Sequence, residues 1–288
     1  MKKIVILGCE NSHANSFLSF IKENPKYSDV EVLGVYSNEE EPAQKLAETF
    51  GVKIMKSYDE EVGKVDGVIV TARHGDNHYK YAKPYIASGV PMFIDKPITI
   101  DEGEAVKLMQ ECKAAGVRVT GGSSVIHENF VQTLKKEREE KVDGKTLGGL
   151  VRCPVSLKND YGDFFFYSEH LVGVTSEIFG YYPKSVKAFQ NGGNITVIFR
   201  YEEYDIVGLY TDGYYSYYAE RSSENGVHGE NYTLENCFKR EFDEFYSLLC
   251  GEEQRRSYED FIAPVYVMNA IKRSLDSGKE ELVNGYEI

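Results

Sequence analysis

Short apolar runs separated by longer amphipathic stretches fill the first 120 residues. Lys3 to Leu7, Val30 to Tyr36, Gly67 to Val70, Val90 to Ile94 and Val117 to Thr120 are brief and rich in Val and Ile. Runs of that length bounded by turn residues predict buried strands. Between them, apolar positions recur at helical spacing. His13 to Glu23 places Phe17, Leu18, Phe20 and Ile21 on one side, and Pro42 to Phe50 opens with a proline suited to a first helical turn. Asn77 to Ser88 and Asp101 to Ala115 complete the set; the last has Asp101 as N-cap candidate, Glu104 three residues on and Gly116 as its stop. Strand and helix alternate, which predicts an α/β fold with a doubly wound parallel sheet.

Beyond Gly122 the pattern changes. Val125 to Phe130 leads into a heavily charged helix reaching Lys141, and Val142 to Gly149 reads as a turn-rich connection. Leu150 to Leu157 alternates as a strand. Leu171 to Phe179 reads as a helix closed by Gly180, with His170 at its start. A meander follows: Val186 to Phe189, Ile195 to Tyr201, Asp205 to Tyr210 and Tyr214 to Ala219, with Gly192-Gly193 as a hairpin turn. Asn236 to Leu249 and Tyr258 to Ser274 are amphipathic helices. The expected division is a Rossmann-type domain over 1–122 and an α+β domain with an open, mostly antiparallel sheet over 123–288, the last helices being free to pack back on the first domain.

Composition narrows the function. A chain of 288 residues can bury two cores. A net charge of −13 argues against nucleic acid or an anionic membrane as partner, and requires any nucleotide site to be built from local backbone donors. Five scattered cysteines without CxxC or metal spacing suit a reducing cytoplasm. Met1-Lys2-Lys3 ahead of Ile4 to Cys9 imitates a lipoprotein signal only faintly, with about four apolar residues against the roughly 7–15 required.

The candidate chemistry lies at strand ends. The turn after the first strand reads Gly8-Cys9-Glu10-Asn11-Ser12-His13. Against GxGxxG it keeps the first glycine, while Glu10 and His13 replace the second and third. A carboxylate at position 10 would repel a pyrophosphate unless it turns away. Asn11 and Ser12 can cap the helix and donate to a phosphate; a capped helix with no nucleotide is the competing reading. The second strand ends in Ser37-Asn38, with no acid for a ribose and no arginine for a 2′-phosphate, and then Glu39, Glu40 and Glu41. NAD and NADP both stay open. Thr71 to His78 is a polar loop in which Asp76 or Asn77 is the expected helix cap. His74 and His78 have the spacing of a metal pair, opposed by the intervening Gly75; no metal is expected. Asp95-Lys96-Pro97 ends the fourth of these apolar runs, where parallel sheets bind ligands; a surface salt bridge and turn is the alternative.

The run from Thr71 through His78 to Asp95-Lys96-Pro97 resembles the Gfo/Idh/MocA oxidoreductases, the glucose–fructose oxidoreductase and inositol dehydrogenase family, whose signature at this strand end is Glu-Lys-Pro, Asp95 being a mild departure from it. The resemblance extends over nearly the whole chain: six strand–helix units, a helix-start histidine, an open sheet and a C-terminal helix leaving through Ser277-Gly278-Lys279. It implies an NAD(P)-dependent oxidoreductase transferring a hydride to or from a sugar, polyol or related hydroxy compound. Cofactor contacts are implied for Gly8, Cys9, Asn11, Ser12, His13, Ser37, Asn38, Thr71, Ala72, Arg73, His78, Asp95 and Lys96, and catalytic roles for Lys96, His170 and Tyr167. It further implies a homodimer or homotetramer built through the C-terminal sheet. The chain departs from the family where an arginine–aromatic pair is common, at Val125 to Phe130, and where an aspartate often precedes the histidine, at Phe166. Tyr167 resembles a subset with Tyr-x-x-His. Those departures keep other readings in view: a small-molecule binding or regulatory protein without redox activity, a redox-assisted lyase or glycosidase, and a metal cluster of His13, His74, His78 and His170.

Overall fold

A computed structural model describes residues 1–284. The first half runs β1 (Lys2–Leu7), α1 (Ser12–Glu23), β2 (Val30–Tyr36), α2 (Glu40–Phe50), β3 (Gly67–Val70), α3 (Asp76–Ile86), β4 (Met92–Asp95), α4 (Glu102–Ala115) and β5 (Val119–Gly122). The five strands pair in parallel in the order β2-β1-β3-β4-β5. There are five strands where six strand–helix units were expected. The segment between α2 and β3 contributes only an isolated bridge, Val35 to Ile54. The strand order reverses between β1 and β3, and that switch point opens a crevice beyond their carboxyl ends. The loops carrying Gly8 and Thr71 to Arg73 leave the sheet there. Asp101 caps α4, accepting the Glu104 N–H at 2.8 Å, and Gly116 ends the helix in the left-handed conformation.

The second half runs α5 (Asn129–Glu139), β6 (Thr146–Val155), α6 (Phe164–Phe179), β7 (Ser185–Asn191), β8 (Asn194–Arg200), β9 (Asp205–Asp212), β10 (Tyr217–Ser223), β11 (Gly226–Tyr232), α7 (Cys237–Leu249), α8 (Tyr258–Ser277) and β12 (Glu281–Leu282). Its sheet has the order β11-β10-β6-β9-β8-β7-β12. Only β6 and β9 pair in parallel, so this is not a simple meander. β6 begins four residues earlier than expected, with Gly148 and Gly149 inside it, because α6 closes on this strand. A Cβ on Gly149 would stand 2.4 Å from the Phe179 ring. β11 was not anticipated; its residues are mostly exposed and polar, so it lacks an apolar alternation.

The chain divides into two compact units, Met1–Gly122 with Phe238–Phe261, and Ser123–Cys237 with the chain from Ile262 onward. In the first, Phe242 and Phe245 of α7 join Phe17, Tyr27 and Phe93 in an aromatic core. In the second, alternate residues of β8 and β9 (Ile195, Val197, Phe199, Ile206, Tyr210) are buried, and α6 packs on that sheet. Among the described residues no helix is long and apolar enough to cross a membrane.

Candidate functional site

The fingerprint loop is held by backbone. Gly8 has φ +79°, and a Cβ there would stand 2.4 Å from the Ala72 backbone, so only glycine fits. The Gly8 and Cys9 N–H groups donate to the Tyr36 carbonyl at 2.7 and 3.0 Å, and Thr71 Oγ1 donates to the Gly8 carbonyl at 3.0 Å. The loop is thereby pinned to the ends of both neighbouring strands.

Glu10 turns aside. Its carboxylate accepts from Ser37 Oγ at 2.8 Å and from the Arg73 N–H at 3.1 Å. Charge repulsion at the second glycine position is therefore relieved by rotation of one side chain toward β2. Asn11 occupies the N-cap of α1 but does not cap it. Its amide instead donates to Asp95 Oδ2 at 2.6 Å, and its Oδ1 accepts from Ser12 Oγ at 3.1 Å. The buried carboxylate is the stronger partner for Asn11, which overturns the expected cap and leaves the first N–H groups of α1 without a side-chain acceptor. A cavity of about 510 Å³ lies there, lined by Cys9, Glu10, Asn11, Ser12 and Arg73 on one side and by Glu39 to Pro42 with Lys45 on the other. Ser37 serves Glu10, and Asn38 accepts from Tyr36 Oη at 3.0 Å.

The other sequence-derived cofactor residues stand behind this loop. Thr71, Ala72, His78 and Asp95 are fully buried, and His13 and Lys96 almost so. His78 reaches the Pro97 carbonyl with Nδ1 at 2.7 Å and the Ala72 carbonyl with Nε2 at 2.8 Å. Burial holds it below the usual histidine range, against the pull of the Asp95 charge. A neutral ring carries one N–H, so it serves the two carbonyls one at a time, and it ties the loop after β3 to the turn at Lys96. Neither Asp76 nor Asn77 caps α3; its N-cap is Gly75, and the Asp76 N–H donates to His74 Nδ1 at 3.3 Å. Asp95 also accepts the Lys96 N–H at 2.7 Å, and the Lys96–Pro97 peptide is cis.

In the second unit, α6 begins at Phe164, six residues before His170, which stands well inside the helix and not at its start. The run Phe164 to Tyr167 is helical because Phe164 is needed in the core beneath it, 5.7 Å from Tyr210 ring to ring. His170 therefore has no helix N-terminus beside it to tune its charge. His170 Nδ1 shares a 2.8 Å hydrogen bond with Ser123 Oγ, and the Tyr167 ring lies edge-on at 5.0 Å. The structure thus joins Tyr167 and His170 and adds Ser123, which sequence reasoning missed; it is the first serine of Gly121-Gly122-Ser123-Ser124, where nothing marks one serine over the other.

Glu241 was also missed. It lies on the buried face of α7, between Phe238 and Phe245, fully buried, with its Oε2 3.1 Å from His13 Nε2. A charged residue at an apolar position of a 3.6 repeat was the available signal. Among the described residues, the one set of three or more side chains close enough to share a metal ion is His13, Asp95 and Glu241; the alternative cluster of His13, His74, His78 and His170 does not form.

Comparison with known proteins agrees with this fold. Residues 2–123 match the model of an oxidoreductase family with an NAD-binding Rossmann fold, Gfo/Idh/MocA. Glucose-6-phosphate 3-dehydrogenase of Bacillus subtilis is 27% identical over 163 residues, 56% of this chain and 43% of that protein. The chain therefore matches less than half the length of that relative. A myo-inositol dehydrogenase from Corynebacterium glutamicum superposes with a TM-score of 0.84 at 15% identity, covering 99% of both chains. GenD2 from gentamicin A biosynthesis, solved in complex with NAD, superposes with a TM-score of 0.83 at 16% identity, covering 99% of this chain and 97% of its own. At these identities the structural likeness is one of fold. Residues 2–123 of this chain are thus similar to the NAD-binding Rossmann part of the Gfo/Idh/MocA oxidoreductase family.

Proposed function

We infer that the protein is an NAD-dependent oxidoreductase acting on a sugar, polyol or related hydroxy compound. The observation that carries this reading is the rotated Glu10 carboxylate, which leaves Cys9 and the uncapped start of α1 facing a cavity. Backbone N–H groups at a helix N-terminus bind the pyrophosphate of a dinucleotide. NAD is favoured over NADP because Glu10, Glu39, Glu40 and Glu41 all line that cavity. A 2′-phosphate would meet four carboxylates, with Arg73 and Lys45 as the cations among the same lining residues.

A bound nicotinamide supplies the hydride acceptor or donor. Of the protein groups, Lys96 holds the substrate oxygen and stabilises negative charge that develops on it. His170 takes the hydroxyl proton on Nε2, its Nδ1 being engaged by Ser123. Tyr167 flanks that imidazole and shares the proton transfer. A dimer or tetramer through the outer face of the second-unit sheet belongs to the same reading.

The test is titration with NAD, NADH, NADP and NADPH, read by thermal shift and nicotinamide fluorescence. A protein without tryptophan contributes little background. Stabilisation by NAD or NADH alone supports the reading. Stabilisation by NADPH overturns the specificity argument. No shift with any of the four favours a non-redox binding protein.

A further inference from the structure

His13 stands where the fingerprint has its third glycine, Asp95 where the family signature has glutamate, and Glu241 on the apolar face of α7. In the folded chain these three meet. His13 Nδ1 lies 3.4 Å from Asp95 Oδ2, and its Nε2 lies 3.1 Å from Glu241 Oε2. The imidazole is enclosed by Phe238, 4.2 Å away ring to ring, and by Phe17 edge-on at 5.7 Å.

The two carboxylates differ in their support. Asp95 is anchored by Asn11 Nδ2 and by the Lys96 N–H. Glu241 has neither oxygen in a well-formed hydrogen bond, and His13 is its charge partner. A bare carboxylate in an apolar surround is strongly disfavoured, so a proton or a cation has to accompany it. The geometry selects the proton. Each carboxylate addresses a different ring nitrogen, which is the arrangement of a bridging imidazolium. A metal ion would take one nitrogen and need both carboxylates on that side.

We propose that His13 and Glu241 are positioning residues that keep a proton between α7 and β4, and that this proton sets the charge beneath the fingerprint loop and makes dinucleotide binding depend on pH. The binding half of the proposal rests on the nicotinamide reading above. Asn11 is the mechanical link, since one side of its amide holds Asp95 while its backbone forms the N-cap of α1.

The charged groups around the imidazole are Asp95 and Lys96 from the end of β4 and Glu241 from α7; Glu244 acts on Glu241 from the same helix and is engaged by Thr120 Oγ1 at 2.6 Å. Burial opposes charge on His13, but the Asp95 and Glu241 carboxylates outweigh it and raise its pKa above the usual 6.5. Burial pushes Glu241 up to about 7, with His13 pulling the other way. Both groups hold protons more tightly folded than unfolded. Their stabilisation is complete below the unfolded values and fades as pH rises through about 7 and on through the titration of His13. Proton loss also leaves net negative charge under the loop, so NAD affinity falls in the same direction.

The experiment follows histidine imidazole signals by NMR in the full chain between pH 5 and 9, His13 being identified among six histidines by its loss in His13→Gln. In the wild type His13 titrates above the ordinary histidine range; in Glu241→Gln its midpoint drops by about one unit, and the ~10-fold fall in NAD affinity across that range flattens. A His13 midpoint in the ordinary range, or one unmoved by Glu241→Gln, overturns the proposal. If Glu241→Gln does not fold, His13→Gln substitutes, and an undiminished pH slope of its thermal stability overturns the proposal equally. Stoichiometric zinc or another divalent metal in the purified chain overturns the proton assignment. Failure of NAD to bind at any pH would refute the nicotinamide reading while leaving the NMR titration as the test of the shared proton.

Discussion

The fingerprint loop of the first unit and the α6 cluster of the second both depart from the family pattern, with opposite consequences. At the loop, Glu10 replaces a glycine that normally lets backbone approach a phosphate, yet the backbone keeps its shape. Gly8 makes the turn, two N–H groups hold the Tyr36 carbonyl, and the intruding carboxylate bonds sideways to Ser37 and Arg73. At α6, Phe166 stands in for an aspartate, and the imidazole of His170 is bonded by a serine hydroxyl. A site made from main-chain donors survives replacement of a side chain that can rotate away. A site made from side chains is rewritten by each replacement. The nucleotide half of such a protein can therefore stay constant while the substrate half drifts.

The sharpest way to break that contrast is to remove the side chains held to do chemistry. Lys96→Ala is expected to lower kcat/KM by about 10³-fold and His170→Ala by about 10²–10³-fold, with NAD affinity nearly unchanged for His170→Ala. Steady-state kinetics and cofactor titration on the same preparations check this. Turnover that survives Lys96→Ala would remove it from the mechanism.

Next in size is the backbone itself. Gly8→Ala forces a Cβ to 2.4 Å from Ala72 at a positive φ and is expected to cost about 3 kcal/mol of stability and to abolish NAD binding. Urea unfolding measures the first effect and fluorescence titration the second. A variant that folds normally and binds NAD would show that the loop is not the rigid element described.

The smallest effect belongs to the side chain that turned aside. Glu10→Gln keeps an acceptor for Ser37 while deleting one of four carboxylates around the cavity. It is expected to change stability by less than ~1 kcal/mol and to shift the ratio of NADP to NAD affinity about fivefold toward NADP. An unchanged ratio would place the 2′ position away from Glu10.

Local regularities made much of the fold legible. The five apolar runs became the five parallel strands, because brief Val- and Ile-rich segments have few other ways to bury both faces. Gly8 at the first turn and Asp101 as the α4 cap are dictated by dihedral angle and hydrogen-bond need within a few residues. The seven-stranded sheet was read less well, since β11 carries no apolar alternation and the two glycines of β6 mimic a turn.

Partners distant in sequence were decided by tertiary structure alone. Asn11 reads as a helix cap until β4 brings Asp95 to it. Glu10 reads as a repulsive charge until β2 and β3 supply Ser37 and the Arg73 N–H. Glu241 reads as a flaw in an amphipathic helix until α7 packs within the first unit and meets His13. Spacing along the chain fixes periodicity and turns, which are local. The direction a polar side chain takes depends on which donor or charge the rest of the fold delivers.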